Sequence, residues 1–210
     1  MLCMCGLMLT QAQAGDLRAI VTDGVDQSLP DAVVLATPLD ATAIRTAHPA
    51  DKVLDQIDKQ FVPYVTPVYV GTAVRFPNKD NVRHHVYSFS RAKKFELPLY
   101  TGTPSAPVVF DKPGVVTLGC NIHDWMIGYV YVADTPFFDK TGTDGTVTIS
   151  ELPPGEYQAR VWHPRMEMPE RSTVKRLSIA KTGVTAVTWH LALNRELHPR
   201  RAPIAGQRGY

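Results

Sequence analysis

The chain has 210 residues, 44% of them hydrophobic, with 22 basic against 20 acidic side chains. That composition suffices for one large or two small domains with real cores, and it excludes an intrinsically disordered protein. A net charge of +2 with the basic residues dispersed leaves nucleic acid without an electrostatic footprint to bind.

In chain order, MLCMCGLMLTQAQA joins a short apolar run to small residues at Ala12 and Ala14. It predicts an export signal over 1–14, cleaved before Gly15, and therefore a periplasmic protein. A membrane span needs a much longer apolar run, so none is expected. Cleavage removes Cys3 and Cys5 and leaves Cys120 alone, which rules out an internal disulfide. LRAIVTDGVDQSLPDAVVLATP then reads as two strands around a turn. The segment 51–60, DKVLDQIDKQ, places Val53, Leu54 and Ile57 on one face of a short helix, and it fits an extended strand equally well.

From Phe61 the alternation is firm. FVPYVTPVYVGTAVRFPNKDNVRHHVYSF gives extended runs broken at Gly71 and at PNKDN, and ELPLYTG, APVVFDKPGVVTLGC and MIGYVYV follow. The pattern predicts an all-β chain whose centre is two packed sheets. TGTDGTVTISELPPGEYQARVWHP adds an Asp-Gly hairpin turn and further strands, and Trp162 and Trp189 are read as core. NRELHPRRAPIAGQRGY, from 194 to 210, is a basic tail without periodicity.

The chemistry concentrates in GCNIHDWM. Cys120, His123 and Met126 have the spacing Cys-x2-His-x2-Met, between VVTL and IGYVYV, and His84 and His85 lie upstream on another strand. A thiolate and a thioether are soft donors that favour Cu(I), while imidazole serves both copper oxidation states. A trigonal site with a weak axial ligand suits one-electron transfer, so a single copper is the expected cofactor. Zinc has no use for a thioether. Cysteine-histidine catalysis would need an oxyanion site for which no motif is present, so an enzyme is not expected. A histidine-brace copper oxygenase would need an amino-terminal histidine where cleavage leaves Gly15.

These residues resemble the cupredoxin family. The likeness runs through FVP, VGTAVRFPN, HHV, FDKPGV and GCNIHDWMIGYVYV, over roughly 55–134, and the loop length is closest to that of amicyanins. It implies a Greek-key β-sandwich with His84, Cys120, His123 and Met126 as ligands, since Asn78 precedes His84 at the family's spacing. The asparagine that usually follows the upstream ligand is His85 here, which either ties the two ligand segments together or competes for the metal. Strand alternation puts His84 and His85 on opposite faces, yet Val86 sides with one and Tyr87 and Phe89 with the other. Trp125 and Ile122 are expected to shield the metal or to form an apolar docking patch around His123.

Stretches such as HHVYSFS, ELPLYTGTP and DTPFF also resemble bacterial methylamine utilization proteins. The flanks, with LPDAVV, TGTDG and LPPGEY, resemble the two halves of a carboxypeptidase-regulatory-like or transthyretin-like sandwich. The implied layout is a first half over 15–50, a cupredoxin insert over 51–134 and a second half over 135–193. The implied function is a type 1 copper protein that passes electrons from a dehydrogenase to a cytochrome-type acceptor. The alternative is a copper carrier or a non-catalytic binding module.

Overall fold

The computed structural model describes residues 14–40, 49–104 and 106–196. Residues 1–13 of the expected export signal and 197–210 of the expected tail lie outside them. The chain runs through β1 (Gly15–Asp23), β2 (Val33–Pro38), β3 (Lys52–Val53), β4 (Asp55–Ile57), β5 (Gln60–Val62) and β6 (Val65–Tyr69). Next come β7 (Thr72–Arg75), β8 (His84–Phe89), β9 (Lys94–Tyr100), β10 (Val108–Phe110), β11 (Gly114–Cys120) and β12 (Ile127–Ala133). The last stretch holds β13 (Phe138–Lys140), β14 (Thr146–Leu152), β15 (Gly155–Trp162), a 3-10 turn at Glu170–Thr173, β16 (Lys175–Ile179) and β17 (Val184–Leu191).

The all-β expectation holds, and the helical option for 51–60 is not realised. Leu54 and Gln56 are buried at a spacing of two while Val53 is exposed, which is a strand pattern. Asp58 and Lys59 then take φ of 52° and 58°, a two-residue reversal that pairs Ile57 with Gln60.

Two sheets enclose the central core. One has the order β6-β12-β11-β8-β9, with β6 parallel to β12 and the other pairs antiparallel. The other has the order β10-β7-β3. Leu54, Val74, Phe76, Val86, Phe110, Val116, Leu118 and Val130 fill the space between them. Burying each large apolar side chain contributes about 1.5–3 kcal/mol.

Strands from the two ends of the chain pair with one another in the sheets β14-β1-β17 and β13-β2-β15-β16. Their own core includes Leu17, Val21, Val34, Val161, Tyr157 and Trp189. No sheet among the described residues mixes these strands with those of the centre. The two sets meet through a third cluster in which Trp162 packs with Tyr131, Val65 and Leu35. Both Trp162 and Trp189 are therefore core residues.

The Asp-Gly turn forms, with Gly145 at φ +72°, but it is not a hairpin. β13 pairs with β2 and β14 with β1, so the turn carries the chain from one sheet to the other. Thr141 Oγ1, donating to Leu29 O and accepting from Ala32 N–H, holds the chain at the end of β13. A Cβ at Gly145 would come within 2.6 Å of Val21 O, so only glycine allows the turn to close on β1.

Candidate metal centre

Alternation along β11 turns Val116, Leu118 and Cys120 toward the core, and along β8 it turns His84, Val86 and Ser88 inward. Cys120 pairs with Val86 across the two strands, so His84, two residues further along the same face, stands beside the thiol. The loop after Cys120 brings His123 to the same place. Asn121 N–H donates to His85 O at 3.2 Å, Met126 N–H to His123 O at 2.9 Å and Ile127 N–H to Trp125 O at 3.0 Å. These bonds close the loop tightly onto the end of the sheet.

Cys120 Sγ lies 3.6 Å from His84 Nδ1 and 3.8 Å from His123 Nδ1. All three donor atoms lie within 4.8 Å of one another. Sulfur and nitrogen ligands at about 2.3 and 2.0 Å from one ion, opened to about 120°, would be separated by about 3.7 Å. The donor set thus has the spacing of a trigonal thiolate-imidazole site and fits a soft or borderline metal ion. His84 is fully buried, Cys120 is 4% exposed, and His123 is half-buried. Met126, 1% exposed, packs in the same apolar cluster as Cys120.

His123 is held below its ordinary pKa, first by burial and then by the neighbouring His84 and Lys59, with Asp80 acting in opposition. The imidazole is accordingly neutral at neutral pH, the form that binds a metal. Its ring lies 5.0 Å from that of His84 and 5.2 Å from that of Trp125. The buried Trp125 indole N–H has no hydrogen-bond partner, and Ile122 is 50% exposed at the loop tip.

His85 faces the other way. Its ring packs edge-on to Tyr87, and Nε2 sits 2.8 Å from Glu96 Oε1, so its side chain is outside the donor cluster. Its backbone carbonyl, rather than its ring, ties β8 to the loop through Asn121 N–H. Asn78 is buried and fastens the segment before β8. Its Nδ2 donates to Val82 O at 2.8 Å and to Tyr100 O at 2.9 Å, and its Oδ1 accepts from Asp80 N–H at 2.9 Å.

A carboxylate that the sequence pattern does not single out also borders the donor set. Asp80 Oδ2 lies 2.7 Å from His84 Nε2. Burial pushes this carboxyl up, but hydrogen bonds from His84 and from the Lys59 and Asp58 N–H groups outweigh it and hold the pKa below the usual carboxylate range. The available signal was a carboxylate four residues before a candidate ligand, inside a turn-forming NKDN segment.

No protein-family model matches the sequence, and no curated protein matches it. Among solved structures the chain is similar to a copper-containing nitrite reductase from Thermus scotoductus, at 24% identity and TM-score 0.38 over 47% of this chain and 25% of the other. It is also similar to a novel purple cupredoxin from Nitrosopumilus maritimus, at 24% identity and TM-score 0.35 over 40% of this chain and 100% of the other. A reduced amicyanin variant aligns at 20% identity and TM-score 0.36 over 47% of this chain and 99% of the other. The chain thus spans about a quarter of the reductase. With a parallel β6–β12 edge, an antiparallel β12-β11-β8-β9 run and a second sheet across the core, the centre of the chain is a β-sandwich.

Proposed function

We propose that the protein is an exported type 1 copper protein that carries single electrons between redox partners. The observation that carries this reading is the preassembled donor set, with Cys120 Sγ 3.6 and 3.8 Å from two imidazole nitrogens at the closed end of a β-sandwich. His84 and His123, through their imidazoles, and Cys120, through its thiolate, would hold the ion, and the Met126 thioether would supply a weak soft donor. Bound copper supplies a one-electron couple between Cu(I) and Cu(II).

The chain's own residues do the rest. Buried His84 and Met126 exclude water and fix the donors, which keeps rearrangement small when the charge changes. Half-buried His123, beside exposed Ile122, would be the metal-holding side chain nearest the surface, where a redox partner would dock. In this reading the donor is a periplasmic dehydrogenase, of the methylamine-oxidising class to which the sequence resemblance points, and the acceptor is a cytochrome. The chain itself performs no bond-making step. Strands 15–38 and 138–191 form a split regulatory-like sandwich into which the copper-binding unit is inserted; the segregation of strand pairing supports this arrangement.

The test is to load the purified chain with copper and record its visible spectrum. The expected result is an intense thiolate-to-copper charge-transfer band that Cys120→Ser abolishes. A colourless protein with copper fully bound would sink the reading. Rapid loss of copper to a chelator, without a reversible voltammetric wave, would point instead to a copper carrier.

A further inference from the structure

We propose that Asp80 is a positioning residue for the metal centre. Its carboxylate fixes the His84 ring with Nδ1 facing Cys120 and His123, and its charge favours the oxidised state of the bound metal. The second half of this inference rests on the copper reading, whereas the first concerns the chain alone.

His84 is fully buried, so both ring nitrogens need defined surroundings. Nε2 meets Asp80 Oδ2 at 2.7 Å, and an ionised carboxylate only accepts hydrogen bonds. The proton of a neutral His84 therefore sits on Nε2. That leaves the Nδ1 lone pair directed at the position between Cys120 Sγ, 3.6 Å away, and His123. A ring with no partner at Nε2 could take the other tautomer and place an N–H where the metal belongs.

Asp80 is itself held from three sides. Its Oδ1 accepts from Asp58 N–H at 2.7 Å and its Oδ2 from Lys59 N–H at 2.9 Å, the two residues that reverse the chain between β4 and β5. Its own N–H donates to Asn78 Oδ1 at 2.9 Å, and Asn78 is anchored to Val82 and Tyr100. The carboxylate thus cannot swing away without undoing a turn whose two residues both have positive φ. A main-chain carbonyl could accept from Nε2 equally well. The carboxylate adds a full negative charge whose side chain is only 11% exposed, so the charge is weakly screened at the site. A fixed anion beside the ligand raises ligand basicity and stabilises the more positive metal state, which lowers the reduction potential.

The test uses the full chain with Asp80→Asn and Asp80→Ala. In the metal-free wild type, nitrogen-15 NMR of the His84 ring is expected to show a single Nε2–H tautomer, and Asp80→Ala should lose that preference. In the copper-loaded protein, Asp80→Asn should keep the visible band while raising the midpoint potential, and Asp80→Ala should also weaken copper affinity by about 10–100-fold. A wild-type His84 protonated on Nδ1, or an Asp80→Asn potential equal to or below the wild-type value, overturns the proposal. If Asp80→Ala fails to fold, the wild-type tautomer and the Asp80→Asn potential decide. If the wild type forms no visible copper band, the copper reading fails, and the tautomer still tests the placement of Asp80.

Discussion

The neutral state of His123 has a consequence for stability. Its folded-state pKa is lowered from the ordinary 6.5, chiefly by burial, so below that pH the unfolded chain binds more protons than the folded one. Stability from this group is therefore fully present above pH about 6.5 and is lost as the pH falls through the lowered folded-state value. Thermal melts of the metal-free protein at pH about 7.5 and about 5.5 should show a lower Tm at the acid end, with a smaller drop in His123→Gln. An equal drop in both would remove His123 as the cause. Residue-level reading of the sequence had Cys120, His123 and Met126 in one loop, but it could not separate His84 from His85. The reason is physical: the outer face of β8 carries Tyr87 and Phe89, the latter 77% exposed, so polarity does not mark which face is buried. For Asp80 the sequence offers only its place four residues before His84, because what holds its carboxylate is a turn at 58–59, distant in sequence.

At the scale of elements, alternation and turn residues made most strands legible. The failures came where a short segment satisfied two periodicities, as at 51–60, or where a turn that suits a hairpin instead crosses between sheets, as at Asp144-Gly145. Neither is decided locally, since the partner strands lie far along the chain. The packing of β5 against β12 depends on a close approach that only glycine permits. A Cβ at Gly128 would meet Phe61 Cβ at 2.7 Å, and Phe61 is 2% exposed with no room to retreat. Gly128→Ala should therefore destabilise the fold by about 1–3 kcal/mol in urea denaturation, through overpacking. A loss under about 0.5 kcal/mol, the size of an ordinary surface change, would show that Phe61 yields freely.

Across the whole molecule, the flanking strands are joined to the centre by more than apolar contact. Tyr131 of β12 donates to Glu170 Oε1 at 2.5 Å, and Arg160 Nε donates to the same oxygen at 2.6 Å. Arg160 also donates to Thr37 Oγ1 and Asp134 Oδ1, and its side chain is 18% exposed. Burial works against the Arg160 charge, but the hydrogen bonds to Asp134 and Glu170 outweigh it and raise its pKa. Burial, reinforced by Glu170, likewise raises that of Tyr131. Removing the guanidinium leaves Glu170 without its cation beside an apolar cluster. Arg160→Ala is expected to cost about 2–3 kcal/mol, less than a fully buried pair because some solvent reaches it. Calorimetry should show one unfolding transition in the wild type and a split one in this variant. A single unshifted transition would mean that the cluster around Trp162 holds the two sets of strands together unaided.

Without any metal, the chain already holds the Cys120 thiol and two imidazoles at the spacing of a trigonal thiolate-imidazole site. Electron paramagnetic resonance of the wild-type chain titrated with Cu(II) tests it most directly. The expected result is one copper per chain with the narrow parallel hyperfine splitting of a thiolate-bound trigonal centre. One copper per chain with the wide splitting of a tetragonal nitrogen and oxygen site would contradict it.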